Sequence, residues 1–290
     1  MTTDKKVLAC VAPGPLADRV TDAAAWAATR LAAPLELLHV LERHPEVATG
    51  DDHSGAIGVD AQQALLAQLS EKDAQQSRTA REQGRLFLNR LRERARASGV
   101  EAPDVRQRHG TLGATLLELE GAAQLIVLGR VGQHGTPGGA PGQPPGHHGD
   151  FALKALKAPV LWAADDFRAP ARVLLALDDG QMAPKLVAQV AASFLFKGLQ
   201  IQLLMTGPAR ADAPRELAST QASLVAAGLE LSAALVPGDA AATVAQALKT
   251  HHADLLVLGA HARSPWRRLL QRDPTRALLR AACVSILLLR

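Results

Sequence analysis

The sequence predicts an α/β protein made of two tandem copies of one five-stranded domain. Short apolar runs typical of buried strands alternate with segments whose apolar residues recur at helical spacing, the pattern of α/β domains with parallel sheets. The order of these elements in the first half is repeated in the second half. In each half one strand, QLIVLG from Gln124 and DLLVLG from Asp254, runs directly into a glycine.

The first half begins with KVLACVA, a continuous apolar run of the kind found in strands buried on both faces, and Pro13 ends it. The strands predicted in this half are 6–12, 35–41, 105–108, 124–128 and 159–163. The predicted helices are 16–32, 60–98, 111–119 and about 150–157. Gly84 is the candidate break if the long second helical segment is two helices rather than one.

The second half repeats this order after a linker over 165–171, which predicts domains at 1–165 and 171–290. Its predicted strands are 172–177, 199–205, 229–236, 255–259 and 284–289. Its predicted helices are 183–196, 213–227, 240–250 and 266–281. Glycine and proline are concentrated over 132–149, which predicts a flexible, low-complexity loop in the first domain.

Composition excludes several classes of protein. The net charge of +4 is mildly basic, but the chain has no Tyr, five Phe and three Trp, so the aromatic platforms of single-strand nucleic-acid binders are missing. No run approaches the roughly 18 apolar residues of a membrane span, and VLACVA is too short for a secretory signal, so we expect a cytoplasmic protein. Cys10 and Cys283 lie within apolar runs, which predicts buried thiols rather than a disulfide or a metal site.

The second half of the long helical segment is rich in arginine. These arginines are Arg78, Arg81, Arg85, Arg90, Arg92, Arg94 and Arg96. One interpretation is an anion-binding ridge. The favoured one is a solvated helix face whose arginines pair with Glu82 and Glu93, because charge runs of this kind are common on exposed helices.

Three features of the strands resemble the universal stress protein family, here as a tandem two-domain member, and the resemblance covers essentially the whole chain. The first strand ends in Asp after alternating Val, Leu and Ala in the second half, the second strand contains LLHV, and the fourth strand passes into Gly-x-x-Gly. The resemblance implies a Rossmann-like, adenine-nucleotide-hydrolase-like domain with a parallel sheet of order 3-2-1-4-5. It also implies, for nucleotide-binding members, an Asp closing strand one and a Gly-x2-Gly-x9-Gly-Ser/Thr loop after strand four.

The second half keeps only part of that motif. Asp178 matches the acid on the adenine side and Gly259 the first loop glycine, but Ala262 stands at the second glycine. Arg272 and Asp273 stand where Gly and Ser/Thr belong. A side chain at a close-approach glycine obstructs the phosphate, and a carboxylate beside a triphosphate repels it.

The first half departs from the motif differently. Gly129 and Gly132 keep the Gly-x-x-Gly spacing, but Ala12 replaces the acid that closes strand one. The closing glycine of the lengthened loop has three candidates, none followed by Ser or Thr: Gly142, Gly146 and Gly149. Glycines kept for a tight turn after a buried strand explain the spacing as well as a phosphate loop does.

Histidine occurs at several positions, and none of them predicts a metal site. His39 and His261 lie where the family commonly has histidine, which implies structural or cleft-lining roles. The other histidines that could serve as metal ligands are His134, His147, His148, His251 and His252. A zinc site needs about four ligands at fixed geometry, and no Cys or HExxH pattern supplies the rest.

The sequence therefore favours a non-enzymatic stress-response or regulatory protein with degenerate nucleotide sites and no required cofactor. No P-loop lysine, nucleophile elbow or pair of catalytic carboxylates is present. The alternative is an ATP-binding switch or slow ATPase that uses the cleft at Gly129 and Gly132. The apolar fifth strands, VLWAA and SILLL, are expected to pair the domains into a pseudo-dimer. Protein partners and association into a further homodimer stay open.

Overall fold

The computed structural model describes residues 5–41, 59–129, 155–177, 184–207, 209–259 and 284–290, with side chains of the long helix described at 71, 75 and from 77 onward. The strands are β1 Lys6–Cys10, β2 Leu35–Leu41, β3 Asp104–His109, β4 Ala123–Gly129, β5 Val160–Ala163, β6 Arg172–Leu177, β7 Gln200–Gly207, β8 Leu231–Pro237, β9 Leu255–Gly259 and β10 Ser285–Leu289. The helices within these ranges are α1 Ala17–Leu31, α2 Val59–Ala97, α3 Leu112–Leu119, α4 Pro184–Ala192, α5 Ala213–Ala226 and α6 Ala240–Thr250.

All ten strands belong to one sheet in the order β3-β2-β1-β4-β5-β10-β9-β6-β7-β8. Neighbouring strands are parallel except at the centre, where β5 and β10 are antiparallel and Leu161 lies opposite Leu287. Counted from either outer edge, each half has the strand order 3-2-1-4-5. The predicted fold class is confirmed, and the two copies are joined edge to edge through their fifth strands.

Helices cover both faces of the sheet because successive side chains of a strand point to opposite faces. Val7 and Ala9 face the core beneath α1, α2, α4 and α5, whereas Leu8 faces the core beneath α3 and α6. Each of these two cores contains residues from both halves of the chain. Burial on both faces explains why the central strands are continuous apolar runs in the sequence.

Helix α2 is a single helix, so Gly84 does not break it. A Cβ built on Gly84 would lie 2.2 Å from Gln107 Nε2 and 3.2 Å from His39 Cδ2. The glycine is therefore explained by close packing of α2 over β2 and β3. A second boundary also differs from the prediction, because the helix expected over 183–196 ends at Ala192, Ser193 is extended, and Phe194–Phe196 form a 3-10 turn.

The two halves share a local turn between their third strand and the following helix. Gly110 and Gly238 have positive φ angles of 131° and 145°, and the next residue caps the helix. Thr111 Oγ1 accepts a hydrogen bond from the N–H of Ala114, and Asp239 Oδ1 accepts one from the N–H of Ala242. This repeated turn supports duplication of one ancestral unit.

Side chains also connect the two halves beside the β5–β10 pair. Arg30 Nε on α1 donates a hydrogen bond to the carbonyl oxygen of Leu195 at 2.9 Å. Ser285 Oγ accepts one from the N–H of Ala164 at 3.1 Å in a buried position. The halves therefore form an intramolecular pseudo-dimer with polar as well as apolar contacts. None of the helices in the described ranges has the length and apolar character needed to cross a membrane.

Candidate functional site

The carboxyl ends of β1 and β4, where the sequence predicts the first-half cleft, are neighbours in the sheet. Ala12, which follows β1, is exposed and offers no polar side chain. A Cβ on Gly129, the last residue of β4, would lie 3.2 Å from Val20 Cγ2 and 3.3 Å from Leu16 Cδ1. Gly129 therefore lets α1 pack closely against the end of β4. The other two candidates in this half, Gly132 and Gly146, lie outside the described residues.

The second-half cleft has Gly259 at the equivalent position, at the end of β9. Gly259 is buried and lies opposite Leu289 in the sheet. In the first half, Gly129 lies opposite Ala163 in the same way. Asp178 and His261 lie outside the described residues. The structure thus places one glycine from each half at the matching end of its fourth strand. The roles of all six candidates in a nucleotide cleft stay predictions.

His39 has a structural role at the end of β2. Its Nδ1 lies 3.0 Å from the carbonyl oxygen of Val11, which can only accept, so the neutral ring carries its proton on Nδ1. The edge of the ring meets Phe87 of α2 at 5.4 Å between centroids. Burial lowers the pKa of His39 despite the opposing effect of the hydrogen bond to Val11. Of the two expected roles, the contacts favour the structural one.

A buried carboxylate that the sequence patterns did not reveal lies on β2. Glu36, with only 2% of its side chain exposed, pairs with Lys6 Nζ at 2.6 Å and with Arg106 Nη2 at 3.1 Å. Burial, and secondarily the charge of Glu36, raises the pKa of the Cys10 thiol to about 12, which disfavours the reactive thiolate at neutral pH although Cys10 is only partly buried. The cluster lies toward the amino ends of the strands, away from the clefts. The signal in the sequence was an acid between apolar residues of a buried strand.

Most arginines of α2 are paired, as the favoured interpretation predicted. Arg85 donates two hydrogen bonds to Glu82, and Arg96 lies 2.9 Å from Glu93. The sequence did not predict pairing with α1, where Arg94 binds both carboxylate oxygens of Asp22 at 2.7 and 2.8 Å. Arg90 lies 2.7 Å from Asp18 in the same way. These two ion pairs connect α2 with α1.

An open groove of about 450 Å³ lies between α2 and the end of β3. It is called the α2–β3 groove below, and its lining residues are Arg78, Arg81, Glu82, Arg85, Gln107 and His109. Arg81 Nε lies 3.3 Å from His109 Nε2 and donates to it. Sequence analysis named the arginines but could not place the end of β3 beside them.

The second half has a much smaller pocket of about 60 Å³ at the corresponding end of β7 and β8. Its lining includes Met205, Leu235, Pro237 and Ala213. A space of this size holds a few water molecules but no metabolite. Within the described ranges, no group of three or more His, Cys, Asp or Glu side chains is arranged to hold a metal ion.

The family model described as the universal stress protein family matches residues 4–141 and 159–290. The chain belongs to the universal stress protein family. Its two matched segments, one in each half, make it a tandem member, as the sequence resemblance implied.

Similar proteins extend over the whole chain. A universal stress protein of Synechocystis sp. is 26% identical over 289 residues, covering 99% of this chain and 100% of the relative. The crystal structure of a universal stress protein from Archaeoglobus fulgidus matches with a TM-score of 0.66 and 13% identity, covering 99% of this chain and 96% of that one. A functionally unknown protein of Pseudomonas aeruginosa PAO1 matches with a TM-score of 0.56 and 16% identity, covering 98% and 92%. At these identities the solved structures establish the shared universal stress protein fold.

Proposed function

We propose that this tandem universal stress protein is a cytoplasmic, non-enzymatic regulator of the stress response, and that neither of its clefts holds ATP. The observation that carries the proposal is the pair of residues at the first-half cleft. Ala12 stands where nucleotide-binding members are expected to have an acid, and Gly129 is packed against Leu16 and Val20. The first-half cleft thus has no acid at this position, and its described glycine has a packing role.

The missing acid weakens nucleotide binding because adenosine has to exchange hydrogen bonds with water for hydrogen bonds with the protein. A hydrogen bond to a charged group contributes about 1.5–3 kcal/mol, so its loss lowers affinity by roughly ten- to a hundredfold. The methyl group of Ala12 makes no such bond. We expect any nucleotide in this cleft to bind weakly.

The second half keeps the acid but has lost the phosphate loop. Asp178 and Gly259 match the family motif, whereas Ala262 and Asp273 do not. A carboxylate near the phosphates opposes their negative charge, and a Cβ at a close-approach position keeps the backbone away from them. Because each domain builds its own cleft, the acid of one half cannot serve the glycines of the other.

The alternative is an ATP-binding switch or slow ATPase that uses the first-half cleft. The spacing of Gly129 and Gly132 favours it, because this is the part of the phosphate motif that the first half retains. The two proposals differ in one measurable quantity, which is the affinity of the purified protein for ATP.

Isothermal titration calorimetry with ATP and Mg²⁺ tests the proposal, together with native mass spectrometry of freshly isolated protein. We expect no binding tighter than about 100 μM, which corresponds to about 5.5 kcal/mol. Tighter binding that is abolished by Gly132→Trp would overturn the proposal in favour of the switch. Release of phosphate from ATP by the wild type, again lost in Gly132→Trp, would identify a slow ATPase.

A gain-of-function variant provides the positive control for that measurement. Ala12→Asp restores the acid at the end of β1, on an exposed residue where a carboxylate remains hydrated. If the missing acid is the main defect, Ala12→Asp raises ATP affinity by roughly tenfold or more. The matched control is Ala12→Asn, which has nearly the same shape without the charge and is expected to gain less.

A further inference from the structure

The arginines of α2 fall into two groups according to their partners. Five of them contact carboxylates of Asp18, Asp22, Glu82 or Glu93, and these are Arg85, Arg90, Arg92, Arg94 and Arg96. Arg78 and Arg81 contact no carboxylate of the described residues. They lie three positions apart on one helix face, where like charges repel each other. Both line the α2–β3 groove.

The geometry of Arg81 leaves part of its guanidinium group for a ligand. Its Nε–H donates to His109 Nε2, which fixes the plane of the group at the end of β3. No described residue accepts a hydrogen bond from its two Nη groups. Arg85, which also lines the groove, is bound by Glu82 through both Nε and Nη2. With three arginines and one glutamate, the lining carries two uncompensated positive charges.

We propose that the α2–β3 groove binds the phosphoryl group of a small phosphorylated molecule. Guanidinium groups bind phosphate through planar pairs of charge-assisted hydrogen bonds, and Arg78 and Arg81 supply two such groups without a carboxylate competitor among the described residues. A groove of about 450 Å³ has the size of a small-molecule site. Its position beside β3, separated from β1 by β2, distinguishes it from the cleft at Gly129.

The charge pattern around the groove favours a single phosphoryl group over a nucleic acid. Nucleic acids need several phosphate contacts along a continuous basic surface. Further along α2 the positive charges of Arg90 and Arg94 are compensated by Asp18 and Asp22. The neighbouring aromatic ring, Phe87, contacts His39 and is covered by Arg90 at 5.8 Å, so it offers no free face for stacking bases.

Calorimetric titration of the full chain with inorganic phosphate and with pyrophosphate, at constant low ionic strength, tests the proposal. The groove variant is Arg78→Gln/Arg81→Gln, and the control is Arg90→Gln/Arg96→Gln, which removes the same two charges from the same helix. We expect the groove variant to lose at least about tenfold in pyrophosphate affinity and the control less than about twofold. Equal losses in both variants would overturn the proposal, since they would indicate general surface charge.

A variant with the opposite expected sign strengthens the test. Glu82→Gln removes the carboxylate from the groove and releases Arg85, so pyrophosphate is expected to bind several times more tightly. This variant keeps the proposal testable if the double variant fails to fold, which circular dichroism would detect. Unchanged or weaker binding in Glu82→Gln would contradict the proposal.

Other ligands separate the remaining outcomes. Wild-type protein that binds neither phosphate nor pyrophosphate at about 10 mM would overturn the proposal. Binding of a poly-glutamate peptide but not of pyrophosphate, lost in the groove variant, would replace it with an acidic protein partner. ATP binding that Gly132→Trp leaves intact and the groove variant abolishes would support the groove and leave the cleft without a nucleotide. This result would separate the groove from the proposed function.

Discussion

The outer strands of the two halves hold equivalent places in the sheet but carry different chemistry. Leu35 lies opposite Val7 and Ile201 opposite Val173, so the register makes Glu36 equivalent to Gln202. The same register makes Arg106, opposite Leu38, equivalent to Ala234, opposite Leu204. A buried ion cluster in the first half is therefore replaced in the second by the neutral pair of Gln202 and Ser232, joined at 2.5 Å.

The carboxyl ends of these strands also differ, with polar residues in the first half and apolar residues in the second. His39, Gln107 and His109 of the first half correspond to Met205, Leu235 and Pro237 of the second. Gln107 and His109 line a groove of about 450 Å³, whereas Met205, Leu235 and Pro237 line a pocket of about 60 Å³. Only the first half therefore has a polar ligand-sized groove at this place among the described residues.

The buried apolar positions fix the strand register, whereas the outer positions are free to diverge. Apart from residues at their amino ends, the inner strands β1, β4, β6 and β9 are apolar and largely buried in both halves. At the edges, β3 carries Arg106 and Arg108, whereas β8 carries Ala234 and Val236 at the same positions. Charge on an edge strand opposes pairing with another chain, so the β3 edge is better protected against such pairing than the β8 edge.

The largest effect on stability is expected from neutralising the buried carboxylate. Glu36→Gln gives the first half the residue of the second, but it leaves Lys6 and Arg106 facing each other without an anion. Because Lys6 and Arg106 are partly exposed, we expect a loss of about 3 kcal/mol in the free energy of unfolding, at the low end for a broken buried pair. Urea denaturation at pH 7 measures the loss.

The double variant Glu36→Gln/Arg106→Ala removes one of the unpaired cations and reproduces the second-half combination. It should be more stable than Glu36→Gln alone by at least about 1 kcal/mol, since the two residues act together. The control in the other half is Gln202→Ala, which loses the neutral hydrogen bond from Ser232 and a long one to the carbonyl oxygen of Leu203, and is expected to cost about 0.5–1.5 kcal/mol. Additive effects of Glu36→Gln and Arg106→Ala would show that the ion cluster is not a unit.

The next effect concerns His39, whose equivalent is Met205. His39→Met removes the hydrogen bond to the carbonyl of Val11, which costs about 1 kcal/mol at pH 8. Because burial lowers the pKa of His39 in the folded protein, the unfolded chain takes up a proton first as the pH falls below the ordinary value of 6.5. The wild type therefore loses stability below that pH, and the variant lacks this contribution.

Urea midpoints of the wild type and His39→Met at pH 8 and pH 5.5 measure this difference. The difference in the free energy of unfolding between the wild type and His39→Met should be smaller at pH 5.5, because protonation of His39 destabilises only the wild type. All other histidines are common to both proteins, so their contributions cancel in the comparison. Parallel pH curves would contradict the neutral, buried state assigned to His39.

The same comparison shows which features the sequence could predict. Continuous apolar runs located the strands well, and β2 was predicted with its observed bounds, because a strand buried on both faces has a distinctive pattern. Glu36 was missed because its two cationic partners lie on different strands, far away in sequence. The α2–β3 groove was missed for the same reason, since it needs the contact between Arg81 and His109.

Glycines were harder to interpret than strands. The sequence offers Gly84 as a possible helix break, which the continuous helix α2 contradicts, and Gly129 as a candidate phosphate-loop residue, which stays a prediction. At both glycines a Cβ would meet side chains that are distant in the chain. Spacing within a motif carries no information about which side chain will lie against a missing Cβ. For the candidate cleft residues, the sequence could therefore predict where each lies along the chain. The structural reason for a glycine at each position could be seen only in the fold.

A smaller effect is expected where Gly84 meets Gln107. Gly84→Ala brings a Cβ within 2.2 Å of Gln107 Nε2, and the amide has to move, so we expect a loss of about 0.5–1 kcal/mol. In a Gln107→Ala background the closest obstruction is gone and only His39 Cδ2 remains, at 3.2 Å from the added Cβ. The better helix propensity of alanine, up to about 1 kcal/mol, should then make the same change close to neutral or stabilising. Thermal denaturation of the four proteins measures the coupling. An equal effect of Gly84→Ala in both backgrounds would contradict the packing explanation.

The smallest effect on stability, but a clear one on association, is expected at the apolar edge. Val236, 42% exposed on β8, is equivalent to Arg108 on β3. Val236→Arg should change the free energy of unfolding by less than about 0.5 kcal/mol, as is usual for surface positions. It should also raise the temperature at which light scattering detects aggregates, because charge on the edge opposes strand pairing between chains. The control is Val225→Arg on α5, where an equally apolar side chain is 52% exposed but lies on no strand edge. If both variants suppress aggregation equally, net charge rather than edge protection is the cause, and the difference between the two edges has no consequence for association.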